Sequence, residues 1–179
     1  MSNPTAISSR LIPEDNNKLT DAAAFGRSKT TMPSTELTEY AGAAHFAYND
    51  LEARVTVLAG GTNGHLDALL DTRILAPLAD ATPLGRSKSK INHADLTEYA
   101  GALYGAYVNL AARVGTFLVA PPLATMQNDL EAVDNARLTA NSTKSRPRMQ
   151  MTDKMLTDWA GATNAMYTAL EALVTLHGG

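Results

Sequence analysis

LTEYAGA occupies residues 37–43 and returns unchanged at 96–102; at 156–162 it stands as LTDWAGA. Leu37, Leu96 and Leu156, set in register, are spaced by 59 and then 60 residues. In that register the copies agree at Thr38/Thr97/Thr157, Ala41/Ala100/Ala160, Gly42/Gly101/Gly161 and Ala43/Ala102/Ala162. They agree again at Tyr48/Tyr107/Tyr167, Leu51/Leu110/Leu170, Ala53/Ala112/Ala172 and Val55/Val114/Val174, while Tyr40 and Tyr99 become Trp159. This is a tandem triplication: one helical-repeat domain over 1–179, with units of approximately 1–60, 61–120 and 121–179.

The repeated block predicts a long helix. Leu37, Ala41, Ala44, Tyr48, Leu51, Val55 and Leu58 alternate spacings of four and three residues, and the other two copies follow the same beat. Such spacing keeps one apolar stripe against one partner, as in bundles and coiled coils. Ser34 or Thr35, Asn92 and Thr152 stand where a helix cap belongs. Acidic residues follow in the first turns, with Glu39, Glu98 and Asp158 recurring there, where the helix dipole and solvent account for them. Gly60-Gly61, Pro121-Pro122 and Gly178-Gly179 are the expected stops. Each helix then runs roughly 25 residues, or about 37 Å.

Within the block, Thr-Glu-Tyr is expected to fill an exposed or half-buried first turn, and Ala-Gly-Ala strips bulk from the next. Glycine inside a helix costs about 1 kcal/mol relative to alanine. Its threefold recurrence at Gly42, Gly101 and Gly161 points to a close approach of another backbone, a sister helix before a ligand. The recurrent aromatics Tyr40, Tyr99 and Trp159, and Tyr48, Tyr107 and Tyr167, are expected as core or interface rather than a base-stacking platform.

Upstream of each long helix stands a shorter apolar stretch. Copy two is clearest: Leu66, Leu69, Leu70 and Ile74, capped by Thr62 or Asn63 and stopped by Pro77. Copy three has Met126, Leu130, Val133 and Leu138; copy one is shortened to Ile7 and Leu11. Between short and long helix lie connectors reading FGRSKTT, LGRSKSK and KSRPRMQ. They place Arg27 and Lys29, Arg86 and Lys88, and Arg146 and Arg148 at matched distances before the leading leucines. Ser, Gly and Pro make these stretches extended or turn-like. Two readings stand together: the pairs are solvated or reach neighbouring helix ends, or they converge as a positive ring for phosphates or an acidic protein surface. The expected fold is therefore all-α: three units of short helix, irregular basic connector and long helix, packed as a helical bundle or a pseudo-threefold array.

Composition bounds the rest. A 45% hydrophobic and 18% charged chain with 6% aromatics and abundant alanine suits close helix packing better than a β-sandwich. A net charge of -3 gives no global drive towards nucleic acid or acidic membrane. With no cysteine, disulfides, thiolate metal sites and cysteine nucleophiles are excluded. The opening MSNPTAISSRLIPEDNN lacks the basic and apolar regions of a secretory signal, and no apolar run approaches a membrane span. His45, His65, His93 and His177 form no close metal spacing and recur in no copy. No GxSxG, GxGxxG or phosphate-loop spacing occurs, and GGTNGHLD at 60–67 is accounted for by a helix stop and a following cap.

No catalytic residue, metal or cofactor is therefore expected. The pattern favours a non-enzymatic structural protein that docks on a larger protein assembly, with a symmetric or quasi-symmetric partner as one form of it and self-association as a separate expectation. In style of composition, though in no family motif, the chain is similar to tailed-phage virion proteins that decorate or cement a capsid or sit in the neck. That style implies capsid or other virion proteins as partners, and a virion or cytoplasmic location. The alternative is an anion- or nucleic-acid-binding module built on the three basic pairs.

Overall fold

In a computed structural model the described residues are 31–70, 72–81, 91–116 and 150–178, together with residues 7, 11, 13, 14, 17, 18, 130, 132, 136, 138 and 139. They form helices and no strand. The three expected long helices are α1 (Ser34–Ala59), α4 (His93–Gly115) and α5 (Asp153–Leu176), of 26, 23 and 24 residues. Between the first two lie α2 (His65–Leu69) and α3 (Thr72–Ala81). The long helices contact one another pairwise, α3 packs on α1, and α2 touches both α1 and α4.

The long helices run parallel, which follows from what ties their ends. At the N-terminal end, residues just before each helix bond to the first turn of a neighbour; at the C-terminal end, Arg54 reaches Thr175 and Arg113 reaches Thr56. The stripe is buried as its spacing predicts: Leu37, Tyr48, Leu51, Val55, Leu96, Tyr107, Leu110, Val114, Leu156, Leu170 and Val174 are core. Ile7, Leu11, Leu66, Leu70, Ile74, Leu130 and Leu138 from the upstream stretches join the same core.

The helix ends correct several expectations. Asn92 and Thr152 cap α4 and α5 as expected, accepting from the backbone N–H of Asp95 (2.9 Å) and Met155 (3.3 Å). In α1 the capping position falls on Pro33, not Ser34 or Thr35. Pro33 aligns with Asn92 and Thr152, and proline offers no side-chain acceptor, so register overrides the preferred residue type. Gly60 stops α1 with φ 76°. By contrast α4 ends at Gly115, well before Pro121-Pro122, because the Thr116 hydroxyl and N–H both turn back to the Arg113 carbonyl (2.7 and 3.2 Å).

The upstream helix of copy two is split rather than single, breaking at Leu70, which is extended. Neither Thr62 nor Asn63 caps it. The Asn63 side-chain oxygen Oδ1 instead accepts from the Thr56 hydroxyl at 2.6 Å, and Gly64, at φ 83°, takes the cap position. Pro77 does not stop α3 but lies inside it. One ladder bond is lost there, and the burial of Ile74 and Leu78 on either side holds the turn in place.

Candidate functional site

The Thr-Glu-Tyr turn lies deeper than expected, with only Glu39 and Asp158 half-buried. Thr38, Thr97 and Thr157 are fully buried, as are Tyr40, Tyr99 and Trp159, and Glu98 is buried too, so solvent does not account for that carboxylate. The reason lies in the connectors' last residues. The Met32 N–H donates to Thr157 Oγ1 (2.9 Å), the Ile91 N–H to Thr38 Oγ1 (3.1 Å) and the Met151 N–H to Thr97 Oγ1 (2.9 Å). Each threonine hydroxyl in turn donates to the carbonyl four residues back: Ser34 (2.7 Å), His93 (2.7 Å) and Asp153 (2.6 Å). A hydroxyl that donates once and accepts once is satisfied, so burial costs it little. Met32, Ile91 and Met151 occupy matched positions, and so do the three threonines. The three bonds pass from copy one to copy three, from two to one and from three to two.

This end of the bundle carries further polar contacts. The His93 ring nitrogen meets the Asp153 carboxylate, joining the starts of α4 and α5. Lys18 Nζ donates to Glu36 Oε1 at 2.6 Å, and that hydrogen bond, above all, raises its pKa. Arg27, Lys29, Arg86, Lys88, Arg146 and Arg148 lie outside the described residues.

Below the threonines sit two aromatic layers. Trp159 takes Tyr40 and Tyr99 edge-on, with centroids 5.5 and 5.8 Å away, and Tyr48 meets Tyr107 edge-on at 5.3 Å. Such pairs contribute about 0.5–1.5 kcal/mol each beyond area burial. Tyr40 donates to Thr163 Oγ1 (2.6 Å) and Tyr48 to the Ala106 carbonyl (3.2 Å). The hydroxyls of Tyr99 and Tyr107 and the indole N–H of Trp159 are buried without a hydrogen-bond partner among the described residues. Burial pushes the phenols of Tyr40, Tyr48, Tyr99 and Tyr107 well above their ordinary range. Tyr167 is buried in the same core, and Gly42, Gly101 and Gly161 are buried within their helices. The aromatics are thus core, with no face open to a ligand.

At the other end, two arginines at matched positions, Arg54 and Arg113, act as clamps. Arg113 on α4 donates to Thr56 Oγ1 (2.8 Å), the Gly60 carbonyl (2.8 Å) and the Thr62 carbonyl (3.2 Å), and lies 3.7 Å from Glu52. Glu52 is fully buried on α1 and accepts from the N–H groups of Gly64 (2.7 Å) and His65 (3.4 Å). The glycine-rich loop is thereby wrapped around an internal carboxylate and a guanidinium. Arg54 on α1 donates to Thr175 Oγ1 (2.8 Å) and lies 3.7 Å from both Asp50 and Glu171. The signal for these clamps is the matched placement of Arg54 and Arg113, each of which reaches a glutamate and a threonine of another copy.

His45 faces Asp67 at 2.6 Å, with Asn49 beside both, which ties α2 to α1. No group of three or more His, Cys, Asp or Glu positioned to hold a metal occurs among the described residues. A cleft of about 420 Å³ lies over the loop and includes Gly61, Thr62, His65 and Arg113; a second of about 600 Å³ runs along α4 past Tyr104, Val108 and Ala112. No described helix is long and apolar enough to cross a membrane. No family model, curated protein or solved structure matches the chain.

Proposed function

We propose that the three copies close on themselves as a pseudo-threefold bundle, and that the protein is a non-enzymatic assembly component seated on a threefold or quasi-threefold protein partner. The observation that carries this reading is the circuit of matched bonds, Met32 to Thr157, Ile91 to Thr38 and Met151 to Thr97. A chain built this way meets three equivalent patches with one polypeptide. The docking end is the one where the circuit lies. Each basic pair stands five and three residues upstream of an anchored residue, Met32, Ile91 or Met151, so all three connectors return to the bundle at that end. A capsid decoration, cement or neck role, with the protein in the virion or the cytoplasm, fits this geometry.

The test is co-sedimentation of the purified protein with particles from its source, alongside light scattering of the free protein. Recovery with the particles, reduced in an Arg27→Glu/Arg86→Glu/Arg146→Glu variant, supports docking through this end. A protein that ignores the particles contradicts it. A shift of a labelled oligonucleotide with steep salt dependence, lost in the same variant, favours the anion-binding alternative instead.

A further inference from the structure

In a triplicated chain, a coordinated departure from the repeat marks a place where one interface differs from its siblings. The Arg54 clamp joins α1 to Glu171 and Thr175 of α5, and the Arg113 clamp joins α4 to Glu52 and Thr56 of α1. Arg54 and Arg113 are matched positions; so are Glu52 and Glu171, and Thr56 and Thr175. At the remaining corner, between α4 and α5, the matched residues are Leu173 for the arginine, Ala111 for the glutamate and Gly115 for the threonine. All three polar members have gone together, leaving no side-chain polar atom at those positions. Gly115 is exposed, and a Cβ placed on it would meet nothing within 4 Å, while Ala111 is buried and Leu173 packs against the core, so apolar contact takes the place of the clamp at this corner.

The same corner is pinned at its opposite end. Met151 bonds Thr97, and His93 pairs with Asp153, a contact whose matched position in copy one is Ser34 and so has no counterpart. We infer that the α4–α5 corner is a built-in seam: the two helices part at their C-terminal ends about the pinned N-terminal end, while the arginine clamps hold the other two corners shut. Parting there bares the flank of α4 that carries Leu110 and Val114 without breaking an ion pair at that level. This inference rests on the matched clamp positions and stands whether or not the protein docks on a threefold partner.

Hydrogen exchange of the full-length protein, read by mass spectrometry, tests it. Residues 107–115 of α4 are expected to exchange about tenfold faster than the matched residues 48–56 of α1, local opening being set by the contacts each segment makes. Installing the clamp with Ala111→Glu and Leu173→Arg is expected to slow 107–115 towards the α1 rate. Erasing one with Arg113→Leu is expected to speed 48–56. Equal protection of the two segments in the parent overturns the inference, as does an unchanged rate at 48–56 in Arg113→Leu, which decides the matter even if the installed-clamp variant does not fold.

Discussion

Met32 and Thr157 are separated by 125 residues of chain, and the backbone N–H of the first donates to the hydroxyl of the second at 2.9 Å. The bond joins the connector of copy one to the helix of copy three. Two partners of the same kind, Ile91 with Thr38 and Met151 with Thr97, complete the circuit. The threonine of the repeated block is thus a fastener between copies, and the aromatic after next fills the core beneath it.

Replacing Thr97 by valine keeps shape and removes the acceptor. The Met151 N–H, on a residue 1% exposed, is then stranded. A buried donor left unsatisfied costs about 1–3 kcal/mol, and Tm falls by about 2–4 °C per kcal/mol in a chain of this size. Thr38→Val and Thr157→Val are expected to match it in thermal denaturation. An unchanged Tm in all three would mean that the circuit carries no stability.

The buried phenols make the protein sensitive to base. For Tyr40, Tyr48, Tyr99 and Tyr107 burial raises the folded pKa above the unfolded value of 10.0. Their contribution is complete below that value and is lost as pH climbs from it towards the folded pKa. Four such groups remove about 5 kcal/mol per pH unit above that point. Phenolate absorbance is therefore expected to appear together with loss of helical circular dichroism, in one steep step. Titration of these residues near their ordinary pKa in a still-helical protein would contradict the burial.

Two glycines of α4 should respond in opposite ways. Gly101 is buried inside the helix, so Gly101→Leu overpacks the bundle and destabilises it by about 3 kcal/mol. Gly115 has open space around it, so Gly115→Ala is neutral or stabilising by up to about 1 kcal/mol through helix propensity. Chemical denaturation checks both; a tolerated Gly101→Leu would place that turn away from any close contact.

Arg113→Ala removes three hydrogen bonds and the guanidinium beside a carboxylate that is fully buried. Two backbone N–H groups still hold Glu52. The loss is therefore expected at about 3 kcal/mol, the low end for a broken buried pair. Lys154→Ala, which removes an exposed pair with Asp158 at 3.3 Å, is expected to cost about 0.5 kcal/mol or less. Equal effects of the two in urea unfolding would show that the clamp adds nothing beyond a surface pair.

The long helices were legible because Leu37, Tyr48, Leu51 and Val55 repeat a helical period that burial enforces over many turns. Local chemistry was less so. Pro77 reads as a stop, yet Ile74 and Leu78 pay for its missing bond through burial. Pro33 reads as a poor cap, yet the register of Asn92 and Thr152 puts the helix start there. The burial of Thr38 was hidden because its partner, Ile91, is 53 residues away, and no periodicity encodes such a bond. Glu52 looks like a solvated acid until Arg113 of the next copy is brought to it. The basic pairs fall outside the described residues, so the site reading rests on the anchored residues that follow them.

Closure of the three copies is tested most directly by spin-label distances. The chain has no native cysteine, so pairs can be introduced cleanly at the matched positions Ala53, Ala112 and Ala172, of which the first is half-buried and the other two exposed. Around a bundle with helix axes about 8–10 Å apart, all three pairwise distances should be alike, on the order of 20–30 Å. One distance close to twice the other two would place the copies in a row and contradict the closed arrangement.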